Sequence, residues 1–494
     1  MLNFKELDMK LLKNITVLSI LILSVSSCEY VDYDPVENYE ITADVYFQSE
    51  GDYAAAVVGT YDPLQWMYLN ILIGDIASEN TLSGGESATD VIGLQEIDEM
   101  RHTPNNDNLT SIWQWCYEGI NRANYLEENK DKLDFDGKSA LYGEVYFLRA
   151  YYYFELVKFF GGVPLFTEYR LTAGDSGTLQ RASSQEVYAQ IESDLLAAIS
   201  ALPATNSQNG RANKFTAQAL LGKVYLYQDN FSEAATMLRN VIGNYSLVAN
   251  YGSQFVSSGE NGVESVFEVQ HTNTSNWWDW NYVPQGTEGN FGVIHNGPRA
   301  FSGPNYASGW SFNVPTADLY NSFEDGDSRR DASILDIVAF ASDTGAEYAE
   351  GHKHTGYFNH KYIPRAGESG AQTELNYLTN YKSIRYSDVL LMAAEAIARG
   401  NGNEDEARLY LNEVRRRAFG DTDHDIDAAG QTLVQAIWDE RNFELAMEGH
   451  RFFDLVRTGQ AVNVIDGFQT GKHELFPIPQ QEVDISSLEQ NPGY

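Results

Sequence analysis

The chain has 494 residues, with 70 Asp and Glu against 33 Lys and Arg, a net charge of −37. That balance excludes nucleic acid as a partner, whose binding rests on neutralising phosphates with Lys and Arg, and it opposes adhesion to anionic lipid head groups. Aromatics make up 13% and there are two cysteines, Cys28 and Cys116, so no disulfide framework or Cys-rich zinc site is present, and some flat apolar surface is expected to face a neutral ligand.

Lys10 and Lys13 precede an apolar run, Ile15 to Val25, of 11 residues. A spanning helix needs about 20 apolar residues, so this run reads as the h-region of a signal peptide. It ends in Val25-Ser26-Ser27-Cys28, which resembles a bacterial lipobox, where the peptidase cuts before the Cys and its thiol carries diacylglycerol. Residues 1–27 are then a lipoprotein signal peptide, Cys28 is the lipidation site, and residues 28–40, with Glu29, Asp32 and Asp34, form an acidic tether. No later segment reaches the length of a membrane span, so the expected membrane attachment is the lipid alone.

Most of the chain beyond the tether reads as helix. Phe147 to Val157 is apolar on nearly all sides, which predicts a buried helix. It should stop at Gly161-Gly162-Val163-Pro164. Ser184 is expected to cap the next helix, with Val187, Ile191, Leu195 and Ile199 on one face. Leu221-Gly222, Tyr225, Ala234 and Leu238 sit at tetratricopeptide spacing, and Ala394, Ala398, Ala407, Leu411 and Val414 fit the same grid. Residues 242–380 differ: they are rich in Gly, Asn, Ser, Tyr and Trp and poor in helical period. A loop region of that length is functional or disordered, and the aromatics recurring between Trp277 and Phe312 argue against disorder. The expected architecture is mainly α. One domain over 41–494 combines a helical scaffold, about 41–241 and 381–494, with a loop-rich ligand region, about 242–380.

Several blocks occur in order: Trp113 to Asn124; Gly143-Glu144 through Arg149 to Phe154, followed by Gly161-Gly162-Val163-Pro164; Pro315-Thr316 with Asp318-Leu319; Arg385-Tyr386 to Ala396; Glu440-Arg441 to Arg457; and the ending Gln490-Asn491-Pro492-Gly493-Tyr494. In these the chain resembles the SusD/RagB family, the surface glycan-binding lipoproteins of Bacteroidetes, over essentially its whole length. The acidic stretch behind Cys28 is similar to that of lipoproteins exported to the surface in those bacteria. The resemblance implies a SusD-like α-helical scaffold with tetratricopeptide-like helix pairs. It also implies a non-catalytic lid over a TonB-dependent, SusC-like outer-membrane transporter, capturing oligosaccharide. The charges inside the blocks read as structural: Glu144 with Arg149, or Glu440, Arg441, Glu444 and Arg451, are expected to pair at helix crossings.

A neutral glycan offers CH-rich faces to flat aromatics and hydroxyl rims to carboxylates, amides and guanidinium groups. The run Trp277-Trp278-Asp279-Trp280-Asn281-Tyr282 puts three Trp in four residues of a polar loop, and Trp277, Trp278, Trp280 and Tyr282 are the first candidates. Trp310 and Phe312 come second. Trp66, Tyr68, Asp75, Glu79 and Asn80 lie where relatives supply polar contacts. Tyr362 and Arg365 sit in a Gly-flanked loop that reads as a cover or as solvated surface.

No catalytic motif is complete. Gly367-Glu368-Ser369-Gly370-Ala371 lacks the last Gly of a nucleophile elbow, and Gly467 to Lys472 is one residue short of a P-loop. His352, His354 and His360 have no H-E-x-x-H helix beside them, and read as solvated. Asp421, Asp423, Asp425 and Asp427 alternate like a calcium loop, but Ile426 takes the Gly position and Thr432 the closing Glu. No cofactor is expected, and a structural Ca²⁺ on irregular ligands is the one ion this stretch leaves open. Cys116 reads as a buried apolar residue. The alternatives are a lid that binds peptide or glycopeptide, a glycoside hydrolase, and a tetratricopeptide adaptor for protein alone.

Overall fold

A computed structural model describes residues 46–172, 174, 175, 177, 179–274, 288–370 and 373–494. Cys28 and the run from Trp277 to Tyr282 lie outside the described residues. The chain divides into two compact units, Met1–Asp52 and Tyr53–Tyr494. In the first, the Asp52 carboxylate accepts the amide NH groups of Gln48 (3.0 Å) and Ser49 (2.8 Å).

Helices dominate, as the sequence predicts. They begin with α1 (Glu50–Tyr61), α2 (Tyr68–Ile76), α3 (Ile92–Asp98), α4 (Asp107–Glu128), α5 (Lys138–Phe160), α6 (Ser184–Ala201), α7 (Lys214–Tyr227) and α8 (Phe231–Val241). Between 242 and 380 only α9 (Ala317–Ser322), α10 (Arg329–Ser333) and α11 (Ile337–Thr344) are α-helical among the described residues. The scaffold resumes with α12 (Tyr386–Arg399), α13 (Glu404–Phe419), α14 (Gly430–Glu444) and α15 (Arg451–Arg457). Among the described residues the sheets are two-stranded and antiparallel. They pair β1 (Thr81–Leu82) with β4 (Val314–Pro315), β2 (Ser265–Val269) with β10 (Tyr381–Arg385), β3 (Arg299–Ser302) with β6 (Glu347–Ala349), β5 (Ile334–Asp336) with β7 (Tyr357–Asn359), and β8 (Ser369–Gly370) with β9 (Thr373–Tyr377).

Helix α5 is the central post. Phe147, Leu148, Tyr152, Tyr153, Phe159 and Phe160 are buried, so it is enclosed on all sides. Fully burying each such side chain contributes about 1.5–3 kcal/mol. Its tyrosines keep their hydroxyls paired: Tyr152 donates to the Thr60 carbonyl and Tyr153 to the Phe166 carbonyl, both at 2.8 Å. The helix ends at Gly161, whose φ of +73° a residue with a Cβ adopts only under strain. Helix α6 begins one residue earlier than expected. Ser183, not Ser184, is the cap, with Glu186 closing a capping box. Val187, Ile191 and Leu195 face the core, and Ile199 packs at its edge.

The two tetratricopeptide-like segments are helix pairs, α7 with α8 and α12 with α13. Gly222 shows why the small residue is needed: a Cβ there would lie 2.5 Å from Leu238 Cγ. Cys116 is buried, and its thiol is pushed up by burial.

The interior also holds a lattice of ions. Glu144 pairs with Arg211 (2.5 Å) and not with Arg149, which takes Asp194 (2.8 Å). Arg329, fully buried, reaches Glu440 (2.6 Å) and Glu444 (3.2 Å). Arg385 reaches Glu264 (2.7 Å), Glu444 (2.8 Å) and Glu448 (2.8 Å). Arg417 pairs with Glu444 (2.5 Å), Arg415 with Glu440 (2.7 Å) and Lys361 with Glu448 (2.7 Å). Arg441 takes Asp388 (2.7 Å) and Asp454 (3.0 Å).

This packing makes two predictions. Gly222→Val overfills the contact with Leu238 and should cost about 1–3 kcal/mol, read as a lower melting temperature; an unchanged melting temperature would show that the α7–α8 spacing is loose. Burial opposes ionisation of Glu444, but Arg417, Arg385 and Arg329 outweigh it and hold its pKa below the usual carboxylate range. The native state therefore binds fewer protons than the unfolded chain, and this contribution is present above the unfolded pKa of about 4.3 and lost as pH falls below it. Glu444→Gln should cost about 3–5 kcal/mol in urea unfolding at neutral pH and flatten the fall in stability on acidification.

Candidate functional site

The pairing of Thr81 with Pro315 and Leu82 with Val314 brings the loop after α2 against the loop that carries Trp310. Gly85 NH donates to the Ser311 carbonyl (2.8 Å), and His352 NH to the Gly85 carbonyl (2.9 Å). Gln95 on α3 holds the same loop by donating to the Gly84 carbonyl.

Trp310 sits half-buried on this base. Its NH donates to the Ile294 carbonyl (2.7 Å), and Arg299 Nη1 donates to its carbonyl (2.8 Å). Gly309 precedes it because a Cβ there would lie 1.8 Å from the Asn296 carbonyl oxygen. Behind the indole stand Phe291 (5.6 Å, edge-on) and His295 (5.1 Å, edge-on), with Tyr68 over His295 at 4.7 Å. Burial pushes His295 down to about 4, so the backing is a neutral imidazole. Arg299, which holds the Trp310 backbone carbonyl, also lies 3.6 Å from Glu86 and 3.6 Å from Asp90, and Glu86 is largely exposed. A half-buried flat ring on a rigid base is the kind of surface that takes a sugar face, and charged groups carried by the same loops suit its hydroxyls.

Asp75 and Asn80 lie beneath this surface. The Asp75 carboxylate accepts from Asn313 Nδ2 (2.9 Å) and from the Gly449 NH (2.8 Å), and is buried. Asn80 donates to Asn442 Oδ1 (2.7 Å), and its carbonyl accepts the Thr316 NH (2.9 Å). Glu79 pairs with Arg451. These side chains join the loop to the scaffold, and the structure brings Asp75, Asn80 and Trp310 into one neighbourhood.

The other candidates fall elsewhere. Trp66 is 5% exposed, with the Arg122 guanidinium 5.1 Å from its ring centre. Phe312 is buried. Tyr362 is also buried, packed with Tyr251 and Phe255, so its loop is not solvated there. Arg365 donates to the His360 carbonyl (2.8 Å) and bridges Tyr306 through the backbone. His360 Nε2 lies 2.9 Å from Tyr306 OH. In the aspartate run, Asp425 pairs with Arg416 and Asp421 meets His424 Nδ1 (2.9 Å). Arg299, Glu86 and Asp90 carry little signal in the sequence. It amounts to a Gly-Gly turn at 84–85 and an Arg following Gly297-Pro298, too common to single out.

The residues that bracket 275–287 are held firmly. Thr272 NH donates to the Glu288 carbonyl (2.8 Å), closing the neck. Gln65 Nε2 donates to the Gln270 carbonyl (2.8 Å) and lies 3.5 Å from that of Glu288.

Residues 336–473 match the model of the SusD family, and residues 38–226 match a family described as starch-binding, associating with the outer membrane. A solved laminarin-binding SusD-like protein is 36% identical, with a TM-score of 0.83, over 91% of this chain and 100% of its own. The chain belongs to the SusD family. Surface glycan-binding protein A from Bacteroides thetaiotaomicron, solved with laminarihexaose, is 27% identical over 90% of this chain and 99% of its own, with a TM-score of 0.79. SusD-like protein P2 from Formosa agariphila is 27% identical over 96% of this chain and 98% of its own. The mainly helical architecture is that of these SusD-like structures, and the family is one of glycan binders associated with the outer membrane.

One titration tests the packing below Trp310. Burial pushes the Asp75 carboxyl up to about 7, against the bonds from Asn313 and Gly449. The native state then binds the extra proton, so this group's contribution to stability falls as pH rises from about 3.9, its unfolded value, through 7. The ¹³C carboxyl shift of Asp75 should titrate near pH 7; a midpoint below 5 would mean that water reaches it.

Proposed function

We propose that the chain is a non-catalytic surface glycan-binding lipoprotein that captures a neutral glucan of the laminarin type and delivers it to a partner TonB-dependent, SusC-like outer-membrane transporter. The observation that carries the reading is the half-buried Trp310 on its packed base, its backbone held by an Arg299 that also meets Glu86 and Asp90, in a chain 36% identical to a laminarin-binding SusD-like protein. Laminarin is an uncharged glucose polymer, which a protein of net charge −37 does not repel. A pyranose CH face lies on the indole, the guanidinium donates to hydroxyl oxygens, and the carboxylates accept from hydroxyl hydrogens. Trp277, Trp278, Trp280 and Tyr282 are proposed as further sugar contacts. Cys28 is proposed as the lipidated residue, with 28–40 as the tether. Among the described residues no helix is long and apolar enough to cross a membrane, which is consistent with attachment through lipid.

The test is calorimetry of residues 29–494 with laminarihexaose and a panel of neutral and acidic polysaccharides. Neutral glucan should bind without release of reducing ends. Trp310→Ala should weaken binding about tenfold, the loss of one stacking contact, while still unfolding cooperatively. Binding to peptides and to no saccharide would overturn the glycan reading, and release of reducing ends would overturn the non-catalytic one.

A further inference from the structure

Away from Trp310, a cleft of about 480 Å³ opens between α1, the 3₁₀ turn after that helix, the Asn209–Arg211 loop and β2. That volume lies in the range of small-molecule sites, roughly 300–1,000 Å³. Its floor is apolar, made by Leu64, Phe267 and Val269. Its edge carries the amides of Gln65, Asn209 and Gln270.

The charges in its wall are already matched. Asp62 meets Arg122 (2.6 Å), Arg211 meets Glu144 (2.5 Å) and Glu268 meets Lys382 (2.5 Å). A charged ligand would have to compete with these internal partners. What remains is an apolar floor edged by amides, of which Gln270 is held by Asn261 and Asn380 and Gln65 donates to the Gln270 carbonyl, so the lining is fixed and suited to the apolar face of an uncharged polyhydroxylated ring.

The cleft also reaches described residues on either side of 275–287. Gln270 and Glu288, which flank that segment, line the cleft, and Gln65 lines it while donating to the Gln270 carbonyl. From these features we infer that the cleft is a second saccharide subsite, holding a short stretch of neutral hexoses separately from the Trp310 surface. The inference rests on the glucan-binding reading above and extends it to a second place on the molecule.

Gly59 provides the test. It lines the cleft, lies within α1, and a Cβ built on it meets nothing within 4 Å. A large side chain there enters open space, and replacing a helical glycine does not weaken the helix. Val58, 57% exposed at the same edge, offers a second position. The full chain would be titrated by calorimetry with laminaritriose up to about 10 mM, enough to report sites as weak as Kd about 1 mM. Two saccharides per chain are expected for the wild type and for Gly59→Ala. One is expected for Gly59→Trp and for Val58→Trp, whereas Trp310→Ala keeps two, one of them weakened about tenfold. A single wild-type site, weakened in Trp310→Ala and untouched in both Gly59→Trp and Val58→Trp, would overturn the second subsite and leave the glycan reading standing. No binding in the wild type would overturn both.

Discussion

The architecture depends on one buried exchange of charge, centred on Arg385 and Glu444. Arg385 sits where β10 meets α12, and its guanidinium is shared by Glu264, Glu444 and Glu448. Glu444 in turn holds Arg329 and Arg417. Taking such ions out of water costs several kcal/mol each, so they persist only where every lone pair and proton finds a partner. Here the partners come from both parts of the fold. Glu264, Arg329 and Lys361 belong to the loop-rich stretch, and Arg385, Arg417, Glu440, Glu444 and Glu448 to the C-terminal part of the scaffold. The irregular region is held only by short two-stranded pairings, and the buried ions add the long-range links that tie it to the scaffold.

From that lattice a short chain of contacts runs to Trp310. Glu448 is fixed by Arg385 and Lys361. The next residue, Gly449, gives its NH to Asp75. Asp75 takes Asn313 with its other oxygen, and Asn313 lies three residues past the indole. The site is therefore positioned by the scaffold at its back, while its front is left to half-exposed groups. That division suits a binder of flexible chains: a rigid platform loses little conformational entropy when a ligand settles on it.

The helical half was legible because its signals are local. A stretch that is apolar on every side, as from Phe147 to Val157, has one solution, burial, and the Gly-Gly-Val-Pro after it ends the helix. The Gly222 and Ala234 spacing marked a close helix pair for the same reason. The cap of α6 was misplaced by one residue because Ser183 and Ser184 are both serines, and only the return bond from Glu186 distinguishes them. The ion partners were not legible. Glu144 has Arg149 five residues away yet pairs with Arg211, because Arg149 is claimed by Asp194. Nor was the fate of Trp66, whose ring is covered by an arginine brought in from α4. Of the proposed ligand surface, the sequence marked Trp310 by its residue type and loop setting. The ions beside its backbone were hidden because Arg299 meets Glu86 and Asp90 across more than 200 residues of chain, with no local signal to join them.

The interior lattice also reshapes the outside of the molecule. Of 33 basic residues, Arg149, Arg329, Lys361, Lys382, Arg385, Arg415 and Arg441 are buried against acids that are buried with them, so the lattice cancels within the fold. The field beyond the surface is set by the excess of carboxylates left outside it. It reaches only about a Debye length, ~8 Å at physiological salt, but within that distance neighbouring copies repel one another. Copies are thus kept apart at close range, while an uncharged molecule approaching them meets no such barrier.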